Sequence, residues 1–184
     1  MGFKVFVDLK LHDIPHQVEG ACRTLTRAGA NMFTVHSSGG RAMLEAAVKA
    51  TAAAAEKFRA PRPHVIAVTV LTSLDDAALA EMGVERSAAE QVDALAVLAR
   101  EAGCDGVVCS PLEAASVRVA LGADALVVTP GIRPSGEDAG DQARTATPAE
   151  ALEAGASHLV VGRPITAAAD PAAAARAIVK EMSE

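Results

Sequence analysis

Two aspartates and a lysine crowd the stretch Asp8-Leu9-Lys10-Leu11-His12-Asp13-Ile14-Pro15. The residues leading into it, Val5-Phe6-Val7, are apolar and β-prone. Side chains alternate along a strand, so Asp8 and Lys10 project to the same face, with Asp13 following in the loop. Pro15 then stops sheet pairing and suits the first turn of a helix. A lysine flanked by two carboxylates is either a solvated ion-pair cluster or an active site. The triplet alone leaves those readings even.

A second group of residues could bind an anion. Val128-Thr129-Pro130-Gly131-Ile132-Arg133-Pro134 leads into a loop containing Gly140-Asp141-Gln142, and Val161-Gly162-Arg163-Pro164 closes the last strand. Glycine backbone N–H groups beside a fork-shaped guanidinium make a phosphate site, and parallel α/β folds put such loops at the carboxyl ends of their strands. A lone arginine is more simply a surface ion-pair partner; two such loops on consecutive strands favour phosphate. Thr72 after a strand is unremarkable by itself. The histidines at 12, 16, 36, 64 and 158 show no metal-ligand spacing, so no metal is expected, and His36 is most simply a hydrogen-bonded inner residue.

The elements that must position these groups alternate strand and helix. The patterning predicts strands at 5–11, 32–36, 65–70, 106–109, 125–129 and 158–161. Helices are expected to carry Val18 to Leu25, Arg41 to Lys57, Ser87 to Ala102, the run after Ser110-Pro111, Thr147 to Glu153 and the run after Asp170-Pro171. The Ser87/Glu90 pair reads as a capping box, and Thr147-Pro148-Ala149-Glu150 repeats the start signal. Six β-then-α units with no hairpin signal imply a parallel sheet in one domain, residues 1–184. A full (β/α) barrel typically needs roughly 250 residues, so counting alone slightly favours an open doubly wound sheet.

Composition narrows the function. The 184 residues carry a net charge of -6, four Phe and neither Trp nor Tyr, which argues against nucleic acid. Cys22, Cys104 and Cys109 form no C-x-x-C pair and read as buried free thiols. No stretch approaches membrane-spanning length and no signal segment is visible, so a soluble cytoplasmic protein is expected.

In order along the chain, Asp8-Leu9-Lys10-Leu11-His12-Asp13-Ile14-Pro15, Val68-Thr69-Val70-Leu71-Thr72-Ser73, Asp105-Gly106-Val107-Val108-Cys109-Ser110, Thr129 to Pro134, Gly140-Asp141-Gln142 and Val161 to Pro164 resemble the motifs of the bacterial orotidine 5'-phosphate decarboxylases. The resemblance covers essentially the whole chain. It implies a TIM (β/α)8-barrel homodimer of pyrimidine biosynthesis that converts orotidine 5'-phosphate to UMP and carbon dioxide without metal or cofactor. By motif position it makes Lys10 the catalytic lysine and Asp8 the carboxylate beside the leaving CO2. Asp13 and Ile14 would be donated across the dimer interface. Thr72 would contact the pyrimidine, and Arg133, Gln142, Gly162 and Arg163 would hold the phosphate.

That chemistry suits the residues. Loss of CO2 from C6 leaves electron density that no carbonyl absorbs easily, so a fixed positive charge is needed there. An ammonium between carboxylates supplies it and can donate the replacing proton.

The family carries two further βα units ahead of the segment matched here, which contribute an aspartate for the ribose and a lysine that completes the charged network. His16-Gln17 also stands where bacterial relatives usually have a small polar residue. The resemblance therefore implies an incomplete or rearranged barrel of six units, with unpaired outer strands and impaired activity. Two alternatives remain: a magnesium-dependent sugar-phosphate decarboxylase or aldolase of the same superfamily, and a non-catalytic nucleotide-phosphate binder.

Overall fold

The computed structural model describes residues 2–134 and 145–183. Six strands, β1 (Phe6–Leu11), β2 (Met32–His36), β3 (His64–Val68), β4 (Gly106–Val108), β5 (Leu126–Thr129) and β6 (His158–Leu159), follow one another in the sheet in sequence order. The pairings of β1 with β2, β2 with β3 and β5 with β6 are parallel. A doubly wound sheet reverses its strand order at a switch point. Here the order never reverses, which is the strand order of a (β/α) barrel. The unit count misleads because it is blind to strand order.

The chain divides into two compact units. The first comprises Met1–Thr69 and Asp93–Val107, the second Val70–Val92 and Val108–Glu184. In the first, helix α1 (Pro15–Arg27) buries Val18, Cys22 and Thr26 at four-residue spacing. Its Pro15 sits in the first turn, where the missing N–H costs nothing. Helix α2 (Gly40–Phe58) packs against α1 and buries Met43, Leu44, Ala47, Thr51 and Ala54. The buried faces of these two helices carry aliphatic and small side chains and no aromatic. Strand β2 is buried along Met32 to Val35, as a strand covered on both faces must be.

The second unit contains two helices that hydrophobic patterning does not announce. Helix α3 (Asp76–Glu81) is capped by Asp75, whose carboxylate accepts from Ala78 N–H at 2.9 Å. Past α4 (Ala88–Glu101), the segment after Ser110 begins as a tight 3₁₀ turn and becomes α5 (Ala114–Leu121). Helix α6 (Pro148–Glu153) opens with a complete Thr147/Glu150 capping box. The short α7 (Arg163–Thr166) starts where the sequence predicts continuing loop, and α8 (Pro171–Glu181) ends the chain.

Arg118 on α5 ties this unit's loops together. Its guanidinium donates to the carbonyls of Gly122, Ala123, Ala125 and Gly155 over 2.7–3.1 Å. None of the three cysteines is in a disulfide; Cys22 and Cys109 are buried and Cys104 partly so.

Candidate active site

The carboxyl half of β1 is not a regular strand. Val7 pairs with Phe33 and Leu11 with Val35, so Asp8, Leu9 and Lys10 together oppose the single residue Thr34. This bulge puts Lys10 at φ 51°, in the left-handed region that lysine rarely adopts. Simple alternation predicts that Asp8 and Lys10 share a face. They do meet, but through the bulge: Lys10 Nζ lies 2.6 Å from Asp8 Oδ2.

Thr34 closes the arrangement from β2. Its fully buried hydroxyl donates to Asp8 Oδ1 at 2.8 Å and accepts the backbone N–H of Lys10 at 2.8 Å. Each oxygen of Asp8 therefore has a fixed donor. At the end of β2, His36 is half-buried, and its Nδ1 lies 3.2 Å from Ser38 Oγ. Burial lowers its pKa below the ordinary imidazole value, the nearby His12 and Lys10 lower it further, and Asp8 opposes them. The His12 ring is 5.4 Å from that of His36.

Asp13 does not join this hydrogen-bonded set. Its Oδ1 accepts the N–H of Ile14 at 2.7 Å, which shapes the turn into α1. Lys10, His12 and Asp13 nevertheless line one open groove with Leu9, Leu11 and Gln17. Ile14 is 63% exposed, an unusual position for an isoleucine at the foot of a helix.

In the second unit, Thr72 is half-buried in the turn that follows β3, closed by Leu74 N–H on the Leu71 carbonyl at 2.9 Å. After β5, Gly131 takes φ 80°, a conformation that suits glycine. Ile132 is then fully buried beside Ala151 and Ala156, with Ala146, Leu159 and Val161 around them. Backbone bonds from Arg133 N–H to Ala146 O at 2.9 Å and from Ala146 N–H to Gly131 O at 3.4 Å join residues 131–133 to residue 146 in an isolated parallel bridge. Arg133 donates from Nη1 to the Ile132 carbonyl.

Gly162 precedes α7 with exposed backbone, and Arg163 is its exposed first residue. Gln142 lies outside the described residues. Among the described residues, no three His, Cys, Asp or Glu side chains are grouped to hold a metal ion, and no helix is long and apolar enough to cross a membrane.

Sequence reasoning missed Thr34 and the His12–His36 pair. A threonine inside an apolar strand carries no signal of its own. The histidines are 24 residues apart, and only the sheet brings them together.

Residues 1–178 match the family model described as orotidine 5'-phosphate decarboxylase / HUMPS family. The chain is 58% identical over 182 residues to the orotidine 5'-phosphate decarboxylase of Moorella thermoacetica, which covers 98% of this chain and 72% of that protein. It is 57% identical to the enzyme of the same name from Halorhodospira halophila, covering 99% of this chain and 75% of that one. The crystal structure of orotidine 5'-phosphate decarboxylase from Lactobacillus acidophilus superimposes with a TM-score of 0.86 at 44% identity, over 100% of this chain and 77% of that chain.

Proposed function

Because the chain belongs to the orotidine 5'-phosphate decarboxylase / HUMPS family, we propose that its reaction is the decarboxylation of orotidine 5'-phosphate to UMP, the last step of UMP biosynthesis. The observation that carries this reading is the Asp8–Lys10 pair held at the β1 bulge. The names of the relatives at 57–58% identity point to the nucleotide enzyme rather than to the sugar-phosphate members of the family.

Lys10 faces the pyrimidine C6. The bond from C6 to the carboxylate breaks, carbon dioxide leaves, and the electron pair stays on C6. The Lys10 ammonium stabilises that carbanion and delivers a proton to it, and the neutral amine is reprotonated from solvent. Asp8 places a second negative charge beside the substrate carboxylate, which the departure of CO2 relieves. It also orients the ammonium.

Asp13 and Ile14 reach the site of a second subunit in a homodimer. Two features support this: the Asp13 carboxylate is turned onto Ile14 N–H rather than onto Lys10, and Ile14 is exposed. Thr72 contacts the pyrimidine. Gly162, Arg163, Arg133 and Gln142 take the phosphate, whose binding far from C6 can drive loop closure. The motif positions of these residues support that assignment, as does the way Ile132 pins the loop bearing Arg133. The protein works in the cytoplasm.

The test is the fall in orotidine 5'-phosphate absorbance with purified protein. Turnover that resists EDTA and is abolished in Lys10→Ala is the expected result. A magnesium requirement would return the assignment to the sugar-phosphate branch. Binding of UMP by calorimetry without turnover would make the chain a nucleotide binder.

A further inference from the structure

We infer that Thr34 is a positioning residue for the Lys10 ammonium, an assignment that rests on Lys10 being the proton donor proposed above. A hydroxyl has one proton to give, and Thr34 gives it to Asp8 Oδ1 at 2.8 Å. Its lone pair receives the backbone N–H of the very residue whose side chain Asp8 holds, also at 2.8 Å. Asp8 Oδ2 completes the circuit by accepting from Lys10 Nζ at 2.6 Å. Lys10 is thus fixed at both ends, by its amide and by its ammonium, through one buried oxygen on the neighbouring strand.

The circuit answers two needs. A lysine at φ 51° is unfavourable by itself and persists only where its surroundings over-determine it. Asp8 and Lys10 are 46% and 38% exposed, so their ion pair alone is too weak to select one geometry. The Thr34 side chain is fully buried on β2, whose pairing with β3 stays in register from Met32 to His36. It brings the rigidity of the sheet to an otherwise soft pair. His36, His12 and Asp13 are the other titratable groups nearby; no hydrogen bond joins any of them to this circuit among the described residues.

Thr34→Val keeps the branched shape and β propensity but removes both hydrogen bonds, whereas Thr34→Ser keeps both bonds and removes the methyl. The test compares steady-state turnover of orotidine 5'-phosphate in the full chain and both variants, together with the rate at which a small activated ester acylates Lys10, followed by peptide mass spectrometry. Thr34→Val is expected to lower kcat by about tenfold or more while KM stays within about twofold, because misplacement touches the reacting end and not the phosphate. Thr34→Ser is expected to keep kcat within about threefold of the parent. Acylation of Lys10 is expected to quicken in Thr34→Val alone.

A Thr34→Val protein with parental kcat, or a Thr34→Ser protein as impaired as Thr34→Val, overturns the inference. If the parent itself turns nothing over, the decarboxylase reading fails, and the acylation rates still decide the role of Thr34: equal rates in parent and Thr34→Val overturn it. If Thr34→Val does not fold, Thr34→Cys, which keeps a buried side chain with only a weak donor, replaces it under the same criteria.

Discussion

The imidazoles of His12 and His36 lie 5.4 Å apart and are tilted by 32°, one at the end of β1 and the other at the end of β2. Burial depresses the pKa of His36, with the charges of His12 and Lys10 adding to the effect and Asp8 opposing it. Between the depressed value and the ordinary 6.5, the unfolded chain binds more protons at this position than the folded one. The His36 contribution to stability is therefore complete above pH 6.5 and is lost as the pH falls through the folded value. Urea midpoints measured from pH 8 to pH 5 should decline, and His36→Asn should flatten that decline. An identical slope in the variant would remove His36 as the cause.

Lys10→Gly separates function from stability. Lysine in the left-handed region costs roughly 1–2 kcal/mol, glycine costs nothing there, and the greater freedom of glycine in the unfolded chain takes back about 0.4–1 kcal/mol. The exposed ion pair lost with the side chain contributes little. Unfolding free energy by urea titration should rise by about 0.5 kcal/mol while turnover vanishes. A fall of about 1 kcal/mol or more would mean that the circuit through Thr34 holds the strand together as well as the ammonium.

At the entrance to β3 and β4, Asp105 accepts two bonds from the Arg62 Nη1 at 2.8 and 2.9 Å and one from the Val65 N–H at 2.8 Å. The two partners differ in what they leave behind. Without Arg62, the partly exposed Asp105 carboxylate still has solvent and the Val65 amide. Without Asp105, a partly buried backbone N–H is orphaned. Asp105→Ala should lower stability by about 1–3 kcal/mol and Arg62→Ala by about 1 kcal/mol or less, read from urea midpoints. Equal losses would make the ion pair, and not the amide, the important bond.

The parts of this fold that are legible in the sequence are those written in local chemistry. The Thr147/Glu150 box, Pro15 and Pro171 start helices where their residue types say they should. Strand β6 is shorter than its apolar run because only His158 and Leu159 pair with β5; Val160 reaches it through one further bond to the Thr129 carbonyl. Helix α3 had a legible cap in Asp75, but six residues are too few to show a period.

The site divides in the same way. Asp8 and Lys10 are conspicuous because charge is rare in an apolar strand. The bulge that joins them is not, since nothing at Lys10 resembles the glycine that a left-handed residue usually requires. Thr34 becomes meaningful only once register sets it opposite three residues.

Ile132 connects packing with ligand affinity in the second unit. It follows Gly131, which takes φ 80°, and fills a cluster with Ala151 and Ala156 directly before Arg133. Neighbours this small and backbone-bound cannot collapse into a vacated space, so Ile132→Ala should cost about 2–5 kcal/mol, near the upper part of that range. Ile132→Val should cost about 0.5–1.5 kcal/mol. The same cavity frees the loop that carries Arg133, so under the proposed phosphate role UMP affinity should weaken by about tenfold in Ile132→Ala at a temperature where the variant is still folded. Uridine, which lacks the phosphate, should bind parent and variant alike. Calorimetric titration of both ligands separates the outcomes: parallel losses for UMP and uridine would mean that the substitution damages the unit as a whole and that the loop has no particular claim on the phosphate.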